Sequence, residues 1–68
     1  MFEKGKVYKH LCAKDLDILV LNEGFEDSNM IKLKIAYLFK CNRQVLCVDN
    51  IIVLKNEFKY WSEVVYEE

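Results

Sequence analysis

Ile31-Lys32-Leu33-Lys34-Ile35-Ala36-Tyr37-Leu38-Phe39-Lys40 alternates from end to end, and that alternation decides the fold class. Ile31, Leu33, Ile35, Tyr37 and Phe39 form one face; Lys32, Lys34, Ala36, Leu38 and Lys40 form the other. A side-chain period of two belongs to a strand, because a helix needs its apolar positions three and four apart. On the C-terminal side, Cys41-Asn42-Arg43-Gln44 reads as a turn, with Asn42 able to take the left-handed conformation. Residues 44–48 return as the next strand, Asp49-Asn50 interrupts it as a bulge or second tight turn, and residues 51–54 continue it. On the N-terminal side, Asn22-Glu23-Gly24-Phe25-Glu26-Asp27-Ser28-Asn29 is the longest polar stretch and reads as a mobile loop. Before it, residues 17–21 form a strand that is apolar on both faces after Asp17, and residues 5–11 form the first strand. Cys12-Ala13-Lys14-Asp15 connects those two.

The last third contains one helical piece. Residues 55–61 start at Asn56 as N-cap, and Phe58 and Trp61, three apart, fall on one side of a 3₁₀ turn. Residues 62–66 make a short final strand, with Glu67 and Glu68 fraying beyond it. Five short strands joined by hairpin-sized loops predict one all-β domain over residues 1–68, a small five-stranded antiparallel barrel closed or nearly closed to remove its edges.

Composition agrees with a packed domain. The chain has 68 residues, of which 53% are hydrophobic, so disorder is excluded. The side chains include eight Leu, seven Val and five Ile, and β-branched residues favour strands. A chain this short buries only about 60% of its unfolded surface, so oligomerisation is an obvious source of further stability. Ten basic residues against eleven acidic ones leave a net charge of −1, with no electrostatic footprint for nucleic acid or for anionic membranes. Three cysteines, Cys12, Cys41 and Cys47, and a charged N-terminus without an apolar segment predict a reduced cytoplasmic protein.

The strand at Gly5-Lys6-Val7-Tyr8, the central meander, and Asn50-Ile51-Ile52-Val53-Leu54-Lys55-Asn56-Glu57-Phe58-Lys59-Tyr60-Trp61 running into an aromatic turn resemble the small SH3-like barrel. The resemblance is architectural and covers most of the chain. It implies a barrel with one 3₁₀ turn before the last strand. The peptide-binding signature of eukaryotic SH3 domains, Ala-Leu-Tyr-Asp-Tyr, does not occur, so recognition of proline-rich ligands is not implied. In residue style, rich in Lys, Asn, Ile and Tyr and lacking Pro, the chain is similar to small uncharacterised proteins of tailed bacteriophages; that similarity implies a host-cytoplasmic accessory role.

No catalytic set assembles from the sequence. His10, Cys12, Cys41 and Cys47 are zinc-type ligands without zinc-type spacing, and Cys47, placed about opposite Leu38, lies far from Cys41 at the turn. They read as a half-exposed histidine and three small apolar fillers. Asp15 and Asp17 read as a solvated strand entrance, and no glycine-rich phosphate loop exists. The reading is a non-enzymatic protein-binding module with no cofactor or metal, which engages a partner or a second copy.

Nine aromatics exceed what one small core can cover, and Phe25, Tyr8, Tyr60 and Trp61 are the candidate partner-binding residues, Phe25 foremost because its surroundings are polar. The alternative is a nucleic-acid-binding barrel in which Lys32, Lys34, Lys40 and Arg43 track phosphates while aromatics stack on bases.

Overall fold

The computed structural model describes residues 2–65. They form a single antiparallel sheet of β1 (Val7–His10), β2 (Leu16–Glu26), β3 (Met30–Phe39), β4 (Val45–Leu54) and β5 (Trp61–Val64), with a 3₁₀ helix, η1 (Lys55–Tyr60), between the last two. The strand order is β4-β3-β2-β1-β5. The all-β class, the five strands and the 3₁₀ turn are as the alternation predicts. Closure is not made: among the described residues, β4 and β5 are the two edges of the sheet. The molecule extends 35 × 21 × 21 Å. Its long axis matches the length of a ten-residue strand at about 3.4 Å per residue.

The odd face of β3 is the inner one. Ile31, Leu33 and Ile35 are buried there with Ile18 and Val20 of β2, Tyr8 of β1 and Val53 of β4. The pairings Ile35 to Val20, Tyr37 to Ile18 and Ile31 to Val53 set these side chains side by side. Phe2 seals the open side. Its ring meets Tyr8 at 4.8 Å, Phe58 at 5.3 Å and Trp61 at 5.6 Å, all edge-on, which is the favoured aromatic arrangement. Phe58 and Trp61 thus lie on one side of the 3₁₀ turn, as their spacing requires. η1 follows Leu54 with no side-chain cap, so Asn56 is not the N-cap.

Three stretches differ from the sequence reading, each for a physical reason. Residues 22–26 belong to β2 and not to a loop. Two irregularities, between Val20 and Asn22 and between Glu23 and Glu26, break the alternation that would have revealed the strand. The true turn is Asp27-Ser28-Asn29, where Asp27 Oδ1 accepts the N–H groups of Asn29 at 2.7 Å and Met30 at 2.9 Å. Asp49-Asn50 does not interrupt β4, for Asp49 pairs with Ile35 and Asn50 with Lys34. The irregularity in β4 falls instead at Leu46, which moves Cys47 opposite Tyr37 and Val45 opposite Leu38. In the β3–β4 turn the left-handed residue is Arg43, at φ 60°, while Asn42 accepts the Gln44 N–H through its side chain at 2.9 Å. The predicted strand residue Tyr66 and the fraying Glu67 and Glu68 lie outside the described residues.

Candidate functional site

The face of the sheet turned away from the core holds the unusual chemistry. Register sets Val64, Val7, Leu19, Ala36 and Val48 opposite one another across all five strands, so an unbroken apolar row crosses this outer face. Ala36 is buried at its centre, whereas Val48, on the edge strand, is 54% exposed. Along β4 the exposure continues with Val45 at 57%, Leu46 at 50%, Ile52 at 57% and Leu54 at 42%. Val45 and Leu46, consecutive and both exposed, sit at the irregularity, where alternation fails; beyond it alternation explains the exposure. Val53 points inward and is buried, so Ile52 and Leu54 must point outward, beside Lys32 and Met30 of β3.

Beyond β4 the backbone edge is unpaired by the sheet. Sheet edges are normally guarded by lysine, proline or brevity. β4 has ten residues, no Lys and no Pro, and a single charge, Asp49. β5, the opposite edge, has only four residues.

Next to this edge lies a cleft of about 490 Å³ lined in part by Asn22, Phe25, Lys32, Lys34, Asn50 and Ile52. Gly24 forms part of its wall. A Cβ at Gly24 would stand 2.9 Å from the Lys32 carbonyl oxygen, so only glycine lets β2 cross β3 this closely. That crossing turns Phe25 outward, 60% exposed, above Lys32 and Lys34. Lys55 Nζ lies 3.0 Å from Glu26 Oε2 and ties the start of η1 to the end of β2.

The candidate residues therefore separate into groups. Phe25, Lys32 and Lys34 come together in the cleft. Tyr8 does not join them: it is 2% exposed, its hydroxyl oxygen accepts the Glu3 N–H at 2.9 Å, and its ring presents nothing to a partner. Trp61 is half-buried against the core, with His10 4.7 Å away. Tyr60 is 38% exposed, with the Lys59 ammonium 5.3 Å from its ring centre. Lys40 is directed away from the other lysines, 3.1 Å from the Ala13 carbonyl and 3.6 Å from Asp17 Oδ1. Arg43 sits in the β3–β4 turn beyond the far end of β3.

Asp17 is not a solvated strand entrance. It is buried, and its Oδ1 accepts no hydrogen bond, so Lys40 is its compensating charge. All three cysteines are exposed, so none fills the core. Cys12 donates its backbone N–H to His10 Nδ1 at 3.0 Å. Among the described residues, no three His, Cys, Asp or Glu side chains gather into a metal-binding group, and no helix is long and apolar enough to cross a membrane. At the N-terminus, Lys6 bridges Glu3 at 2.8 Å and Glu63 at 3.2 Å. These partners hold the Lys6 ammonium above its ordinary range, and Lys6 in turn holds the Glu3 carboxyl below its own.

The residues missed by sequence reasoning are the β4 aliphatics Val45, Leu46, Val48, Ile52 and Leu54. Their signal was present as an aliphatic-rich segment broken only by Cys47, Asp49 and Asn50, but which edge of the sheet stays open is decided by strand order, which alternation does not encode. No protein-family model matches the chain, and no curated protein or solved structure matches it.

Proposed function

We propose that the chain is a non-enzymatic protein-binding module on a small SH3-like fold, with β4 and the adjoining outer face as its docking surface. The observation that carries this reading is the exposure of Val45, Leu46, Val48, Ile52 and Leu54 on one unguarded edge strand. A contiguous exposed apolar patch on a small protein marks an interaction site, and an open edge recruits partners by strand addition. The strand order, with β1 between β2 and β5 and a 3₁₀ turn before β5, supports the SH3-like assignment. The residue style supports a role as a small phage-type accessory protein acting in a host cytoplasm.

Affinity capture with and without nuclease tests the reading, comparing the native chain with Ile52→Glu. Nuclease-resistant capture that Ile52→Glu abolishes is the expected result. Capture unaffected by Ile52→Glu removes β4 as the docking surface.

A second reading rests on the cleft. Phe25 beside Lys32 and Lys34 pairs an aromatic ring with two cations, the combination that stacks a base and holds a phosphate. Lys40 and Arg43 lie outside that cleft. A salt-sensitive mobility shift of single-stranded oligonucleotide, lost in Lys32→Ala/Lys34→Ala, is its expected signature. No shift at low salt eliminates it.

A further inference from the structure

We propose that the occupant of the β4 edge is β4 of a second copy of this chain, paired antiparallel about a two-fold axis through Asn50. This rests on the reading of β4 as a docking surface and names its partner.

The argument is self-complementarity. A two-fold axis perpendicular to a sheet keeps outer face against outer face only when it passes through a residue, because neighbouring side chains point to opposite faces. Few centres are then available along Val45–Leu54. Centring on Asp49 opposes the two carboxylates directly, which is destabilising. Centring on Val48 sets Leu46 against Asn50 and runs Ile52 past the end of the partner strand. Centring on Ile51 sets Ile52 against Asn50 and leaves Leu46 unpaired.

Centring on Asn50 sets Val48 against Ile52 and Leu46 against Leu54, twice each by symmetry, and Asn50 against Asn50. Val48 and Ile52 meet within the regular part of β4, and Leu46, at its irregularity, comes beside Leu54 at the end of the overlap. Asp49 faces Ile51, and its own copy is a diagonal neighbour about 7–8 Å away instead of directly opposite. A net charge of −1 per chain opposes association only weakly. The pairing consumes the long edge and leaves β5, four residues long, at both ends of a ten-stranded sheet, so the assembly closes at two copies.

Sedimentation equilibrium of the full chain, from about 1 to 500 µM, reads the association. The expected result is a reversible shift from the 8.1 kDa chain to twice that mass. Val48→Lys, which places a cation against Ile52, weakens the dimer at least ~100-fold. Leu11→Lys, at an exposed site away from β4, leaves it intact. Circular dichroism verifies that both variants fold.

Register is read separately in a chain with Cys12, Cys41 and Cys47 changed to Ser. Asn50→Cys oxidises to a covalent dimer, since residues opposite one another in a sheet lie within disulfide reach. Ile52→Cys does not, being offset from its own copy by four residues, about 14 Å. A chain monomeric throughout, a dimer that survives Val48→Lys, or equal crosslinking at both positions overturns the proposal. A monomer that still captures another protein through Ile52 overturns the second-copy assignment alone. A monomer whose capture ignores Ile52→Glu overturns the docking surface as well.

Discussion

Gly24 is the residue on which the cleft depends. Its missing side chain is what lets the β2 backbone lie against the Lys32 carbonyl. Gly24→Ala forces the strands apart and destabilises by about 1–3 kcal/mol, the usual range for overpacking, as measured by urea denaturation; a neutral result would show that β2 can shift freely there. Asp17 presents the opposite problem, a buried charge with one compensating cation. Lys40→Met leaves that charge without its partner. The effect is about 1–3 kcal/mol, less than for a wholly buried pair, because the Lys40 side chain is 34% exposed. Asp17→Leu combined with Lys40→Met restores most of the loss, because the buried site then needs no charge; a double variant no better than Lys40→Met contradicts the pairing. Asp27 governs acid behaviour at the β2–β3 turn. The N–H groups of Asn29 and Met30 hold its carboxyl below the ordinary value of 3.8. A lowered carboxyl stabilises the fold above the unfolded value and ceases to do so as pH falls through the folded one. Asp27→Ala therefore lowers the denaturation midpoint by a constant amount above about pH 5, and the gap narrows as pH falls below the carboxylate range. A gap that persists unchanged to low pH assigns the turn's stability elsewhere.

β4 shows at the level of the element what patterning reveals and what it hides. Asp49-Asn50 looks like a turn because both residues favour turns and are depleted in strands. On an outer edge strand they are tolerated, since their side chains reach water and exposed positions exert little selection for apolar residues. Because β4 is continuous, Asn50→Thr stabilises the fold slightly, by up to about 1 kcal/mol of β preference, and raises the thermal midpoint. A turn at that position would make the same change destabilising, so the sign of the shift in a melting curve decides. β3 was legible because it is flanked on both sides: Ile31, Leu33 and Ile35 must be apolar to fill the core, and Lys32 and Lys34 must reach solvent. β2 was legible only as far as Leu21. Beyond it the strand carries Asn22, Glu23, Gly24 and Glu26 through two irregularities, and no period survives. Phe25 could be singled out as an apolar ring among polar neighbours. Its position beside Lys32 and Lys34 in the cleft arises where the pairing of β2 on β3 is irregular, and it cannot be read from spacing. Tyr8 was misassigned for the converse reason: a tyrosine alternating with Lys6 and His10 looks like an exposed residue, yet the turn of the N-terminus over it and the Phe2 ring cover it.

For the whole molecule, size and topology pull in the same direction. A 68-residue chain buries a modest fraction of its surface, and among the described residues this one leaves both ends of its sheet open. The inner face is well filled, by Phe2, Tyr8 and the aliphatics of β2 and β3, and β4 holds the largest number of exposed aliphatics on one strand. Pairing of two β4 edges would couple folding to concentration, since whatever binds only the folded chain stabilises it by mass action. Because the chain is its own ligand and is consumed as it pairs, a 100-fold rise in concentration contributes about 1.4 kcal/mol per chain, half of what a free ligand would. In a domain of this size 1 kcal/mol moves the thermal midpoint by about 4–8 °C. Raising the chain from about 10 µM to about 1 mM should then raise the midpoint by on the order of 10 °C. Val48→Lys should flatten that dependence while leaving the dilute midpoint within about 0.5 kcal/mol of the native chain, because surface substitutions away from the core change little. Differential scanning calorimetry across the concentration series separates the two contributions. A midpoint independent of concentration in the native chain would mean that the monomer alone carries the stability and that the aliphatics of β4 await a different partner.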